Sequence, residues 1–275
     1  MTTSNPFLDP AMRSQLYGSP ERISRRTDAL LAAKITGRNA ADVIADLATA
    51  ALHPRPVHLA IMDVGCGRGS TTRRLAERLR PDTLIAVDAA RALLADARAR
   101  LGTRHGLIWV GADFHQLPLP TARLDLAVAA FCLYHSAQPA VAVAELARCL
   151  RPGGALILVT KSADSYAELD DLVAAAGLDP AAASRPSLYE TFSSQNLLDT
   201  LPADLHVEHL IHQTHRFRFQ DLAHAARYLA TSPKYQLPAE IRGSPDALTR
   251  TLAAAVPDRP VHATSTVSYA VTRRL

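Results

Sequence analysis

Residues 59–70 read LAIMDVGCGRGS, and this stretch decides the fold. An apolar run that ends at Val64 carries one acid, Asp63, and is followed by three glycines within five residues. The next residues, 70–80, have the apolar spacing of a helix. The order of strand, glycine-rich loop and helix is typical of a ligand-binding turn, because glycine leaves backbone N–H groups accessible and a helix start attracts anions.

The glycine spacing leaves two interpretations open. A dinucleotide-binding loop has the pattern G-x-G-x-x-G in the same context. Here Gly65, Gly67 and Gly69 give G-x-G-x-G, and Ser70 stands where the dinucleotide pattern has Gly or Ala. The loop alone does not decide between them, so the elements that follow it must.

Strand-like and helix-like segments alternate regularly from residue 57 onward. Strands are predicted at 57–64, 83–87, 107–110, 124–131 and 155–160, and helices at 70–80, 91–101 and 141–150. This alternation predicts an α/β fold with a doubly wound, mostly parallel sheet that helices cover on both faces. A long strand at 205–219, a helical insertion over about 220–258 and a last strand at 261–271 follow; the last strand is predicted to pair antiparallel, which makes seven strands.

The composition is that of a globular chain. Its 275 residues are 48% apolar and 20% charged, which is enough to bury a sizeable core. No apolar run reaches the roughly 18 residues of a membrane-spanning helix, and the first ten residues lack the features of a secretory signal. The three cysteines form no C-x-x-C pair, which favours reduced thiols and a cytoplasmic location. The net charge of +4 favours a solvated surface over a nucleic-acid footprint.

Acidic and aromatic residues follow the ends of the predicted strands, where ligands bind in open α/β sheets. Asp88 follows the second strand, 19 residues after Gly69, and a carboxylate there can accept both hydroxyl protons of a ribose. Asp113 and Phe114 follow the third strand, and an acid beside an aromatic ring suits the amine and the face of a purine. The fourth strand ends in Phe131.

Five segments in one order resemble the class I S-adenosylmethionine-dependent methyltransferases, in particular the small-molecule methyltransferase-domain family. They are DVGCGRG at 63–69, VDAA at 87–90, ADFHQLP at 112–118, LDLAVAAFCLYH at 124–135 and LRPGGALILV at 150–159. The resemblance covers roughly residues 57–161. It implies a Rossmann-like fold, S-adenosyl-L-methionine as the cofactor, and methyl transfer to a small molecule such as a natural product.

The resemblance also implies site residues and a domain division. Its cofactor-binding residues are Asp63, Gly65, Cys66, Gly67, Gly69, Asp88, Ala89, Asp113, Phe114 and Phe131. The loop, with Asp63 behind it, would hold the methionine part of the cofactor, and Asp88 would bind the ribose. Ala89 would pack on the adenine face, and Asp113 with Phe114 would face the adenine amine. Phe131 would lie near the sulfonium. Residues 1–56 would form an N-terminal arm and helical lid, and residues 57–275 the methyltransferase domain with its insertion at about 220–258.

The transfer itself is an in-line displacement, so the enzyme mainly aligns the nucleophile and excludes water. A base is needed only for an acceptor that arrives protonated. His135, which follows the fourth strand, is the first candidate, and Tyr17, Tyr134 and His115 are further ones. An exposed or helix-capping role for His135 is equally compatible with the sequence.

Several alternatives remain at the level of sequence. They are an NAD-dependent oxidoreductase, an RNA or DNA methyltransferase, and a cofactor-binding module without catalysis. The chain lacks the Asn-Pro-Pro-Tyr and Pro-Cys motifs expected of nucleic-acid methyltransferases, so a nucleic-acid partner is disfavoured. Four histidines, at 206, 209, 212 and 215, alternate across a strand and cannot converge on one metal ion, so no metal is predicted. Arg216, Arg218 and Lys234 favour an acidic acceptor.

Overall fold

The structure is a computed structural model, and it describes residues 5–275 of the chain. Its strands are β1 (Lys34–Thr36), β2 (Ala60–Val64), β3 (Thr83–Val87), β4 (Leu107–Val110), β5 (Leu124–Ala130), β6 (Leu150–Lys161), β7 (Leu205–Phe219) and β8 (Val261–Arg274). Its α-helices are α1 (Pro10–Tyr17), α2 (Pro20–Ala33), α3 (Ala40–Ala51), α4 (Ser70–Leu79), α5 (Arg91–Leu101), α6 (Pro139–Cys149), α7 (Ala167–Ala175), α8 (Leu222–Leu229) and α9 (Pro245–Ala255).

The chain divides into two compact units. The larger unit comprises residues 38–162, 191–212 and 267–275. The smaller unit comprises residues 5–37 of the described chain, together with 163–190 and 213–266. Each unit is made of several separate segments, whereas the predicted division is a single boundary between residues 56 and 57. That boundary stays a prediction.

The sheet has eight strands in the order β1-β7-β8-β6-β5-β2-β3-β4, one more than the seven predicted. The pairs β2/β3, β3/β4, β2/β5 and β5/β6 are parallel, and β8 runs antiparallel to β6. After β2, the next two strands, β3 and β4, lie on one side of β2, and β5 lies on its other side. Strand order therefore reverses at β2, which is where an α/β sheet opens a crevice for a ligand. The predicted fold class, with its antiparallel last strand, is confirmed.

Apolar side chains from the middle of this sheet form the core of the larger unit. Ile61, Leu126 and Ile157 are fully buried on adjacent strands, and Ile44 of α3 and Leu75 of α4 pack into the same cluster. Each such side chain contributes about 1.5–3 kcal/mol of burial. Near-continuous apolar runs arise because helices cover both faces of a parallel sheet. This packed core holds the ends of the strands in fixed positions.

A polar network anchors the amino ends of the strands. Arg151 Nη1 donates to Asp125 Oδ1 over 2.9 Å, and Asp125 Oδ2 accepts the Ala60 N–H over 2.8 Å. A side chain at Gly154 would meet the carbonyl oxygens of Arg151 and Leu124. The LRPGG segment therefore has a structural role at the edge opposite the ligand crevice. It also starts β6 at Leu150, earlier than the predicted residue 155.

The smaller unit contains β1 paired antiparallel with β7, together with helices α1, α2, α7, α8 and α9. The predicted helical insertion is confirmed, since α8 and α9 lie between β7 and β8. Lys234 Nζ lies 2.5 Å from Asp170 Oδ2, and both side chains are nearly buried. This ion pair neutralises Lys234, so the charge that favoured an acidic acceptor is not available there.

The N-terminal segment is more ordered than the arm that the sequence predicts. Its described part contains the helix α1, which Asp9 caps by accepting the Ala11 N–H over 2.8 Å. Phe7 and Leu16 are buried, so this segment has its own packing; residues 1–4 of the predicted arm lie outside the described residues. The short strand β1 was not predicted, because three residues carry no readable period. Among residues 5–275, the helices lack the combined length and apolar character that crossing a bilayer requires.

Candidate functional site

Three parallel strands of the larger unit end at the same level. Val64 pairs with Val87, and Val87 pairs with Val110, so the loops after β2, β3 and β4 start side by side. Main-chain hydrogen bonds continue one residue further, from Cys66 N to the Val87 oxygen (3.0 Å) and from Asp88 N to the Val110 oxygen (3.2 Å). The register therefore places the glycine loop, Asp88 and the segment after β4 along one edge.

The three glycines of the loop have left-handed φ values of 64°, 54° and 79° at Gly65, Gly67 and Gly69. A Cβ at Gly65 would lie 2.3 Å from Cys132 Cβ, and a Cβ at Gly69 would touch Leu101 of α5. A Cβ at Gly67 would meet nothing within 4 Å. Two glycines thus serve internal packing, and Gly67 is the one whose backbone is open to a ligand.

Asp88 connects the end of β3 to the glycine loop. Its Oδ2 accepts the Gly67 N–H and its Oδ1 accepts the Ala90 N–H, each over 2.8 Å. Burial raises the pKa of Asp88, and the two N–H groups oppose that rise. Each carboxylate oxygen has a second lone pair, so Asp88 can hold the loop and still accept hydroxyl groups of a ligand. Ala89 beside it is exposed.

Asp63 is buried behind the loop, with only 1% of its surface exposed. Its Oδ2 accepts the Thr72 hydroxyl of α4 over 2.5 Å. Burial raises the pKa of Asp63 to about 7, a rise that the Thr72 hydrogen bond opposes and the charge of Asp88 supports. Asp63 therefore ties β2 to α4 and positions the loop from behind rather than presenting its carboxyl group to a ligand.

A hydrogen-bonded chain runs from Asp113 through His115 to Ser136. Asp113 Oδ1 lies 2.7 Å from His115 Nδ1 and also accepts the His115 N–H over 2.9 Å, while His115 Nε2 lies 2.7 Å from Ser136 Oγ. Ser136 Oγ in turn accepts the Gln138 N–H over 2.9 Å. His115 thus fixes the orientation of the exposed Asp113. Ser136 was missed at the level of sequence, because it lies 21 residues from His115 and carries no motif of its own.

Phe131 follows β5 in a left-handed conformation, with φ of 56°. This conformation costs a residue other than glycine about 1–3 kcal/mol, and such strain clusters at functional sites. The half-buried ring lies 5.8 Å from Lys161 Nζ, and the Phe131 N–H donates to the Val159 oxygen over 2.9 Å. The backbone turn re-aims the segment that carries Tyr134 and His135.

The candidate bases are placed differently from one another. Tyr134 and His135 lie in one 3₁₀ turn after β5, with ring centroids 4.8 Å apart, and both belong to the larger unit. Tyr134 is 8% exposed, whereas His135 is half-buried and more accessible. Tyr17 belongs to the smaller unit.

The thiols and the four histidines of β7 contribute little to the site chemistry. Burial raises the pKa of Cys66 and Cys132, which keeps both thiols protonated. Of the four histidines on β7, His215 is buried, and His212 Nδ1 lies 2.6 Å from Ser268 Oγ. Within residues 5–275, three or more His, Cys, Asp or Glu side chains do not converge as a metal site.

Similar proteins were found by sequence and by structure. Residues 62–158 match a family model described as a methyltransferase domain. A malonyl-[acyl-carrier protein] O-methyltransferase from Marinomonas sp. (strain MWYL1) is 32% identical over 143 residues, which are 52% of this chain and 51% of that protein. A trans-aconitate 2-methyltransferase from Acidovorax sp. (strain JS42) is 43% identical over 104 residues, which are 38% of each protein.

A structure from Bacillus halodurans C-125, provisionally described as a methyltransferase, superposes with a TM-score of 0.56. It is 20% identical, and the alignment covers 83% of this chain and 98% of that one. At this identity the likeness supports the fold alone. The chain spans about half, or less, of the length of the curated relatives named above.

Proposed function

We propose that this chain, whose residues 62–158 belong to the class I S-adenosylmethionine-dependent methyltransferase domains, transfers a methyl group to a small-molecule acceptor. The family match confirms the sequence-based recognition and its cofactor class, and it does not support the dinucleotide interpretation of the loop. Methyl transfer by the whole protein, with its acceptor, is the proposal.

The observation that carries the proposal is the pairing of Asp88 with Gly67. The carboxylate holds the one loop glycine whose Cα faces open space, so an acceptor of hydroxyl groups and an approachable backbone lie together. A ligand with a ribose and a charged amino-acid part needs both features. Asp63, Cys66, Ala89, Asp113, Phe114 and Phe131 complete the proposed cofactor site.

The cofactor supplies a methyl group already activated by a sulfonium. What the chain must add is alignment, exclusion of water and, for a protonated acceptor, removal of a proton. Of the four candidate bases, His135 is favoured by its partial exposure on the turn that follows Phe131. Tyr134 is more buried and fits a positioning role better, and Tyr17 remains a candidate from the smaller unit.

We further propose an acidic acceptor and a cytoplasmic location. The relatives named above act on malonyl and trans-aconitate groups, both of which are carboxylates. Arg216 and Arg218 are exposed on β7, which supports the hypothesis, whereas Lys234 is neutralised by Asp170. Three free, buried cysteines suit a reducing compartment.

Thermal unfolding with added ligands tests the cofactor assignment. S-adenosylhomocysteine at about 100 times its dissociation constant should stabilise the native chain by about 2.7 kcal/mol, while NADH at the same concentration should not. The reverse pattern would establish the oxidoreductase alternative instead. Release of S-adenosylhomocysteine from S-adenosylmethionine with a panel of small carboxylic acids then tests turnover, and binding without turnover on any acid would indicate a module that has lost catalysis.

A further inference from the structure

Arg26 on α2 of the smaller unit is an arginine whose hydrogen-bonding capacity is only partly used. Its Nη2 donates to the Tyr228 hydroxyl over 2.8 Å, and its Cζ lies 4.5 Å from the centroid of the Tyr228 ring. Its Nη1 is buried and has no hydrogen-bond partner among the described residues. A buried N–H group left unsatisfied costs about 1–3 kcal/mol, and more when it is charged. One edge of the guanidinium therefore lacks the partner that it needs.

The charge of Arg26 is also unbalanced. Within residues 5–275, its guanidinium has no ion pair with a carboxylate, whereas other arginines such as Arg148 and Arg185 have one. Arg22, one turn earlier on α2, donates to the carbonyl oxygen of Thr231, over 3.2 and 3.1 Å from its Nε and Nη2. Among the described residues these two neighbouring cations have no acidic partner, which makes this part of the unit favourable for an anion.

Tyrosines surround Arg26 instead of acids. Four of them interact electrostatically with its guanidinium: Tyr17, Tyr166, Tyr189 and Tyr228. The rings of Tyr166 and Tyr228 lie 5.7 Å apart, and Tyr166, Tyr189 and Tyr228 are almost fully buried. Burial raises the pKa of Tyr166, so it stays a neutral hydroxyl and cannot act as the counter-ion. Neutral phenols can, however, donate hydrogen bonds to an anionic ligand.

The backbone at Tyr166 gives an independent sign of function. Tyr166 has a φ of 68°, in the left-handed region that a bulky residue avoids. Its N–H donates to the Thr264 oxygen over 2.7 Å, which holds this conformation in place. Strain of about 1–3 kcal/mol at a non-glycine residue occurs most often at functional sites. Here the strained residue carries a phenol that interacts electrostatically with the Arg26 guanidinium.

We propose that the Arg26 cluster, formed by Arg26, Tyr166, Tyr189 and Tyr228, binds the carboxylate of a small organic acid. Arg26 presents a planar fork that matches a carboxylate, and the tyrosine hydroxyls supply additional donors. The aromatic rings around the single guanidinium favour a compact organic acid over a polyphosphate. That this acid is the methyl acceptor rests on the proposed function; the binding site itself does not.

The test measures binding of trans-aconitate, succinate and benzoate to the full chain by calorimetry at neutral pH, with S-adenosylhomocysteine present. We expect the wild type to bind at least one acid and its methyl ester much more weakly. Arg26→Gln should weaken acid binding by about 10²-fold and Arg26→Lys by about 10-fold, because the lysine keeps the charge without the fork. Arg25→Gln is the matched control: it removes the same charge from an exposed neighbouring position and should change binding by less than about 2-fold.

A second readout separates recognition from a purely structural role. Without added acid, Arg26→Gln should unfold at the temperature of the wild type or above it, because it removes an unbalanced buried charge. A marked loss of thermal stability in both Arg26→Gln and Arg26→Lys would identify Arg26 as a packing residue and overturn the proposal. Arg26→Lys keeps the binding test available if the glutamine variant does not fold.

The remaining outcomes are distinct. If no acid of the panel binds the wild type, or if the glutamine variants at 25 and 26 lose binding equally, the carboxylate site is refuted. If S-adenosylhomocysteine binds in those cases, the proposed methyltransferase function stands and only this inference fails. If S-adenosylhomocysteine does not bind, the proposed function fails whatever the acids do.

Discussion

Replacing Asp88 with alanine is the sharpest test of the proposed cofactor site. Both carboxylate oxygens accept main-chain N–H groups at 2.8 Å, and both retain a lone pair for ribose hydroxyls. Hydrogen bonds to a charged group contribute about 1.5–3 kcal/mol each. Loss of two such bonds to the ligand, taken at the lower value, amounts to about 3 kcal/mol. We therefore expect the dissociation constant of S-adenosylhomocysteine to rise by about 10²-fold.

The matched control is Asp82→Ala, because Asp82 and Asp88 bracket the same strand, β3. Asp82 also accepts a main-chain N–H, that of Leu59, over 2.8 Å, but it does so at the opposite edge of the sheet. Asp88→Ala should lose about 1–3 kcal/mol of stability, and Asp82→Ala, at an exposed position, should lose less, both measured by thermal or urea unfolding. Only Asp88→Ala should lose ligand affinity, measured by calorimetry. Wild-type affinity in Asp88→Ala, or equal losses in both variants, would refute the ribose role.

Two further predictions concern the glycine loop and the acid behind it. Gly65→Ala should unfold the chain, since its Cβ would lie 2.3 Å from Cys132 Cβ. Gly67→Ala should cost about 1–2 kcal/mol of backbone strain yet abolish ligand binding. Circular dichroism measures the stability of the two variants and calorimetry their ligand binding; equal stability would contradict the packing argument. Asp63 has a folded-state pKa of about 7, above the roughly 3.9 of an unfolded chain, so the folded state binds the extra proton and its stability falls as pH rises from about 4 to about 7. Relative to Asp63→Asn, the wild type should lose on the order of 4 kcal/mol over that interval and no more above it; parallel urea-unfolding curves for the two proteins would show the shift to be absent.

Much of the larger unit could be predicted from the sequence because its signals are local. Strand β3, helix α5 and strand β4 lie where the periodicity places them, bounded by Pro81, Asp88 and Gly102. The side-by-side placement of the loop, Asp88 and Asp113 also follows from a general rule, since parallel strands end at one edge. What the rule could not supply is which glycine is open, because that depends on Cys132, which lies 67 residues from Gly65.

The smaller unit could be predicted less well, for a physical reason. Its Arg26 cluster draws one residue from α2, one from the start of α7, one from the segment before 191 and one from α8. No spacing in the sequence connects these positions, and each tyrosine alone is an ordinary core residue. Arg26 itself lies in a run of arginines that is typical of a solvated helix face. What distinguishes it from the exposed Arg25 is a buried Nη1 without a partner among the described residues, and the tyrosines around its guanidinium.

The two units differ in the kind of feature that would bind a ligand. In the larger unit, the ligand-facing features are backbone groups and a carboxylate that local motifs specify, and they would serve any acceptor. In the smaller unit, the features are side chains gathered from distant segments around a cation whose charge remains unbalanced. An unbalanced buried charge is costly unless a ligand completes it, and a ligand of the wrong sign or without charge would leave that cost in place. Selection at the Arg26 cluster would then come from rejecting neutral molecules as well as from binding acids, which is why the methyl ester is the decisive comparison with the free acid.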